Sequence, residues 1–143
     1  MSETHPDRQR YSAWLALTAV LALHVADEAR SGFLDLYNPT VLALRERHSW
    51  LPIPTFRFPV WITLLTLAVI GCLILSGWVR RGLRWTVYAA YAFAILMLAN
   101  GLLHLGFSIY KGAWMPGAYT SPLLLAGSLY LLWATARRSP YSS

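Results

Sequence analysis

A chain of 143 residues is sized for one domain. Hydrophobic residues make up 57% of it and charged residues only 13%, about half the share usual in a water-soluble domain, so the composition is that of an integral membrane protein. The net charge of +6 does not point to nucleic acid, because the arginines stand at the ends of apolar segments, where they orient a chain in a bilayer and meet anionic lipid.

The polar start, MSETHPDRQR, is followed by an apolar span with no clear A-x-A cleavage site and reads as a retained cytoplasmic tail. A first span is expected over about residues 11–30. The connection that follows, 31–58, contains NPTVLALRERHSW, which predicts a helix lying in the membrane interface, with Asn38 as N-cap and Pro39 at the first helical position. The prolines of LPIPTFRFP forbid regular helix there. A second span is expected over about 59–79, with the single Cys72 as a small packing residue. After the short RRGLR turn, a third is expected over about 83–110, and after the Gly- and Pro-rich KGAWMPGAYT a fourth over about 118–136.

The expected architecture is all-α: one integral membrane domain, a four-transmembrane-helix bundle with an interfacial helix or loop between helices 1 and 2. Lys and Arg counted near the span ends favour both termini on the cytoplasmic side, in a bacterial-type cytoplasmic membrane.

The first span carries His24, Asp27 and Glu28 within about one turn, and the third carries Asn100 and His104 four residues apart. At about 100° per residue each group shares a helix face. Both spans run in the same direction, so counting from their midpoints sets His24 level with Asn100 and Glu28 level with His104. Ionisable groups at a span centre cost about 2.5–3.5 kcal/mol each on insertion scales, so they face the bundle interior and pair. Each cluster is the natural partner of the other. Asp27 has a local alternative in Arg30, three residues on. His5 and His48 fall in polar or interfacial segments and read as solvated.

At these positions the chain resembles the HXXEE family, small membrane proteins with a His-x-x-Glu-Glu motif, a second histidine and a Tyr-x-Pro-Gly motif. The first motif reads His24-Val25-Ala26-Asp27-Glu28, with Asp for the first Glu. The second histidine matches His104, and the last motif reads Trp114-Met115-Pro116-Gly117, with Trp for Tyr. The resemblance implies a site built from these positions; the family's biochemical function is unassigned.

Two imidazoles and one or two carboxylates from facing helices suit a divalent metal, zinc or iron. His24, Glu28 and His104 are then the ligands. Asp27 is a fourth ligand, a general base or the group that orients an imidazole. Such a centre activates water toward a lipid ester or amide. Without metal, Asp27 and Glu28 beside the histidines form an acid–base set able to isomerise or hydrolyse a lipid. Other readings are a haem held by His24 and His104, a proton or solute carrier, and a polar knot that only fixes helix packing. The stretch around Trp114, Pro116 and Gly117 is expected to close over the site, with Asn100 beside it. Lipid or another apolar small molecule is then the expected partner, entering from the outer leaflet or between helices.

Overall fold

The computed structural model describes residues 5–137, with side chains from Arg8 onward. The His5 side chain and the last of the arginines counted for orientation, Arg138, lie outside the described residues. Among the described residues five helices follow in order: α1 (His5–Arg30), α2 (Phe33–Arg47), α3 (Phe58–Arg80), α4 (Trp85–Lys111) and α5 (Ser121–Ala136). The protein is all-α as expected, but the four-transmembrane bundle is not what forms. Three helices, Arg8–Arg30, Phe58–Arg80 and Trp85–Lys111, are long and apolar enough to cross a membrane.

The fourth expected span fails on length. Helix α5 has 16 residues, about 24 Å at 1.5 Å per residue, short of the roughly 30 Å of a hydrocarbon core. Ala118–Thr120 were expected to open this helix, but their backbone groups are engaged elsewhere. The Ala118 N–H donates to the Met115 carbonyl, and the Thr120 N–H crosses to the Asp27 carboxylate of α1. These residues form a turn after the left-handed Gly117, and the helix starts at Ser121, with Pro122 in its first turn, where a missing N–H costs nothing.

A second correction concerns the first connection. Helix α2 starts at Phe33, directly after a two-residue turn, and not at Asn38–Pro39; Pro39 lies inside the helix. Asn38 does not cap. Its carboxamide donates to the Phe56 carbonyl at 2.9 Å and accepts the Phe56 N–H at 3.0 Å, pinning the proline-rich segment against α2. Short polar side chains serve caps and loop latches by the same hydrogen bonding, and sequence alone does not separate the two uses. His48 is exposed at the C-terminal end of α2, as expected.

Helix α1 sits between α3 and α5, and α5 in turn packs against α4. The α1 core face (Ala13, Trp14, Leu17, Leu21, Val25) meets Ala90, Phe93, Ala94 and Met97 of α4 and Leu124 and Leu131 of α5. Close approach comes from small residues, as is usual between membrane helices. Gly101 lies against Leu125 and the Ser121 carbonyl, and Gly127 against Leu17. Three buried hydroxyls are satisfied within their own helices: Thr18 donates to the Trp14 carbonyl, Ser128 to Leu124 and Thr135 to Leu131. The Trp14 indole donates to the Cys72 carbonyl at 2.8 Å, tying α1 to α3. Cys72 is half-buried against the core, in agreement with a packing role. Tyr130 of α5 lies 3.5 Å from Ser12 of α1, while Thr120 lies beside Asp27, so these two helices run antiparallel.

Candidate metal centre

The buried stripe of α1 runs Ala13, Leu17, Leu21, His24, Glu28, at spacings of three and four. That of α4 runs Ala90, Ala94, Met97, Gly101, and its next position is His104. The apolar stripes that pack the bundle thus continue into polar residues at one end. The register expected from the span midpoints holds: Asn100 Nδ2 lies 3.1 Å from His24 Nε2, and Glu28 Oε1 lies 3.0 Å from His104 Nε2. Glu28 Oε1 is also 3.7 Å from His24 Nε2. Side-chain exposures of 1% for His24, 7% for Glu28 and 10% for His104 put all three out of bulk solvent.

Hydrogen bonds set both tautomers. His104 Nδ1 lies 2.7 Å from the Pro116 carbonyl, which only accepts, so Nδ1 carries the proton. Thr120 Oγ1 lies 2.9 Å from Asp27 Oδ2 and spends its one hydrogen there, so at 2.8 Å it accepts from His24 Nδ1–H. Each neutral ring is left with a bare Nε2. The His24 lone pair receives the Asn100 amide N–H, whereas the His104 lone pair faces the Glu28 carboxylate. Two lone pairs at 3.0 Å repel unless a proton or a cation lies between them. In a tetrahedral shell with bonds of about 2.0–2.2 Å, donors stand about 3.3–3.6 Å apart. The three donor atoms here all lie within 4.8 Å of one another. His24, Glu28 and His104 therefore form a set capable of coordinating a divalent metal ion, with Asn100 yielding the His24 nitrogen to it.

Thr120 is the residue that the sequence reading missed. It links Asp27 to His24, accepting from the ring while both its hydroxyl and its backbone N–H donate to Asp27 Oδ2. Asp27 is thereby joined to His24 through one intermediary, the arrangement that orients metal-binding imidazoles and sharpens their basicity. A hint existed: a Thr before Ser-Pro at a helix start, three residues beyond the Pro-Gly turn. Thr120→Val is expected to weaken zinc binding about 10- to 100-fold, and Thr120→Ser to restore it. Titration against a competing chelator measures both.

The stretch between α4 and α5 packs directly on the site. Gly117 is buried with φ +81°, and a Cβ there would lie 2.7 Å from His104 Cε1 and Nδ1 and 3.1 Å from His24 Cε1. Only glycine lets this backbone lie against both rings in a left-handed conformation. Trp114 is not brought to the cluster. It is 65% exposed and stacks on Tyr119 with ring centroids 5.1 Å apart.

On the opposite flank Phe33, at the start of α2, packs on the His104 ring at 5.6 Å between centroids. Beside it a cavity of about 480 Å³ lies between α2 and α4, sharing His104 and Asn100 with the cluster. Haem does not suit this geometry. The two imidazoles meet edge to face with centroids 4.9 Å apart, and no slot for a macrocycle separates them.

The comparisons agree with the site. Residues 14–131 match the model of a protein family described as of unknown function with an HXXEE motif. No curated protein and no solved structure matches the chain. The matched stretch includes all three converging donors and the Pro116–Gly117 turn that covers them, and the chain belongs to the HXXEE family.

Proposed function

We propose that this membrane protein is a metal-dependent enzyme acting on a lipid-like substrate, with His24, Glu28 and His104 holding zinc or iron. The supporting observation is the convergence of the donors: both histidines are held through Nδ1 by fixed partners and turn their Nε2 atoms toward one buried carboxylate oxygen. Three protein ligands leave a coordination position open, as catalytic rather than structural sites do. A divalent ion there supplies Lewis acidity and lowers the pKa of water, which suits hydrolysis of a lipid ester or amide.

The residues of the chain do the rest. Asp27, through Thr120, holds the His24 ring in its Nε2-bare form. The Pro116 carbonyl does the same for His104, and Phe33 and Gly117 exclude water from its two sides. Asn100 is placed to hydrogen-bond a substrate carbonyl once the His24 nitrogen is engaged elsewhere.

The 3.0 Å approach of Glu28 to His104 also favours a second reading, acid–base isomerisation with a proton on that axis and no metal. Elemental analysis of detergent-purified protein separates the two. The metal reading expects about one zinc or iron per chain, lost in His24→Ala and in His104→Ala. Wild-type protein that takes up neither ion after chelation and reloading overturns it in favour of acid–base chemistry or a carrier.

A further inference from the structure

The cavity between α2 and α4 has one polar end and one long apolar body. Phe33, Leu36, Tyr37 and Leu44 line it from α2, and Leu103 and Phe107 from α4. Two further polar groups in its wall are already committed. The Tyr37 hydroxyl donates to the Pro54 carbonyl at 3.0 Å, and the Thr40 hydroxyl to the Leu36 carbonyl at 2.7 Å. The hydrogen-bonding side chain left to a ligand is Asn100, which keeps one amide N–H beyond its bond to His24; His104 borders the same end but is held by Pro116 and Glu28. The wall contains no Lys, Arg, Asp or Glu among the described residues.

Its dimensions are those of a chain. From Phe33, against His104, to Leu44 is eleven residues of helix, about 16 Å at 1.5 Å per residue. An extended chain advances about 1.2 Å per backbone bond, so this length holds roughly a dozen bonds or more. The volume of about 480 Å³ lies within the range of small-molecule sites, about 300–1,000 Å³. Away from the His104 end a charged group has no counter-ion in this wall, and desolvating one without a partner is costly.

We infer that the cavity binds the hydrocarbon chain of a single-chain lipid with an uncharged head, and that its ester or amide carbonyl lies at Asn100 and His104. The inference deepens the enzymatic reading and rests on it only for what happens at the head. The chain lies along α2 toward Leu44, and its carbonyl end meets the cluster. Lipids with charged heads are expected to bind more weakly, because the wall offers them no Lys or Arg to pair with.

The test is photolabelling of the purified full chain, in detergent and after chelation, with a monoacylglycerol that carries a diazirine in mid-chain. Peptide mapping is expected to find adducts on the α4 residues Leu103 and Phe107. Unlabelled monoacylglycerol is expected to abolish them and a lysophosphatidylglycerol of equal chain length to leave them. Leu36→Trp and Thr40→Trp fill the cavity and are expected to remove the adducts. Thr40 is exposed, so its variant folds even where the Leu36 variant does not. Labelling spread equally onto the exposed α3 residues Leu67 and Leu73 overturns the inference, as does equal competition by the charged lipid or no effect of Thr40→Trp. Because chelated protein is used, loss of the labelling result and loss of the metal result are separate outcomes.

Discussion

Gly117→Ala is expected to destabilise the protein by roughly 2–4 kcal/mol, the sum of left-handed backbone strain and overpacking, and to abolish metal binding. The added methyl would stand 2.7 Å from two atoms of His104 and 3.1 Å from His24, and those atoms belong to planar rings held by other contacts. His104 is fixed through Nδ1 by Pro116, the residue immediately before Gly117, so ring and backbone cannot separate without breaking that bond. Gly112 is the matched control. It too has a left-handed backbone, with φ +61°, but a Cβ added there would meet nothing within 4 Å. Gly112→Ala should therefore show the strain alone, about 1 kcal/mol, and keep the metal. Thermal unfolding and metal stoichiometry on both variants measure the difference; equal behaviour of the two would show that contact with the rings is unimportant.

Glu28→Gln is expected to separate binding from stability. Losing an anionic ligand should weaken zinc by more than the roughly 10- to 100-fold typical of a supporting partner. The ion-free protein should nonetheless melt close to wild type, because a glutamine N–H donating to neutral His104 Nε2 keeps a hydrogen bond where, without metal, a proton joins the ring to the carboxylate at 3.0 Å. A neutral buried hydrogen bond is worth about 1 kcal/mol against roughly 1.5–3 for one to a charged group, and the difference is offset because a buried ion pair no longer has to be desolvated. Calorimetry in the presence of chelator gives the stability, and competition titration gives the affinity. A Glu28→Gln protein that binds zinc as wild type does would remove Glu28 from the ligand set.

Much of the site is legible in the chain's periodicity. His24 and Glu28 continue the three-and-four spacing of the α1 core face, and His104 continues that of α4. Parallel helices entered from the same side then bring residue 24 to the level of 100 and residue 28 to that of 104. Three features are not legible there. Asn38–Pro39 has the chemistry of a helix start but serves as a latch inside one. Residues 118–120 are apolar or small enough to extend a helix, yet they fold as a turn after the left-handed Gly117, with Thr120 held to Asp27 of α1. Trp114 occupies a motif position and faces outward.

The sequence by itself determined the helical class, the membrane character, the stripe on which each polar residue lies and the level at which the histidines meet. Those follow from local periodicity and from the cost of leaving an ionisable group in hydrocarbon. Tertiary structure alone decided the short α5, the Thr120 link, the fit of Gly117 against two rings and the cavity beside α2. Each of these depends on contacts between residues far apart in the chain, 93 positions in the case of Asp27 and Thr120, and periodicity within one helix carries no record of them.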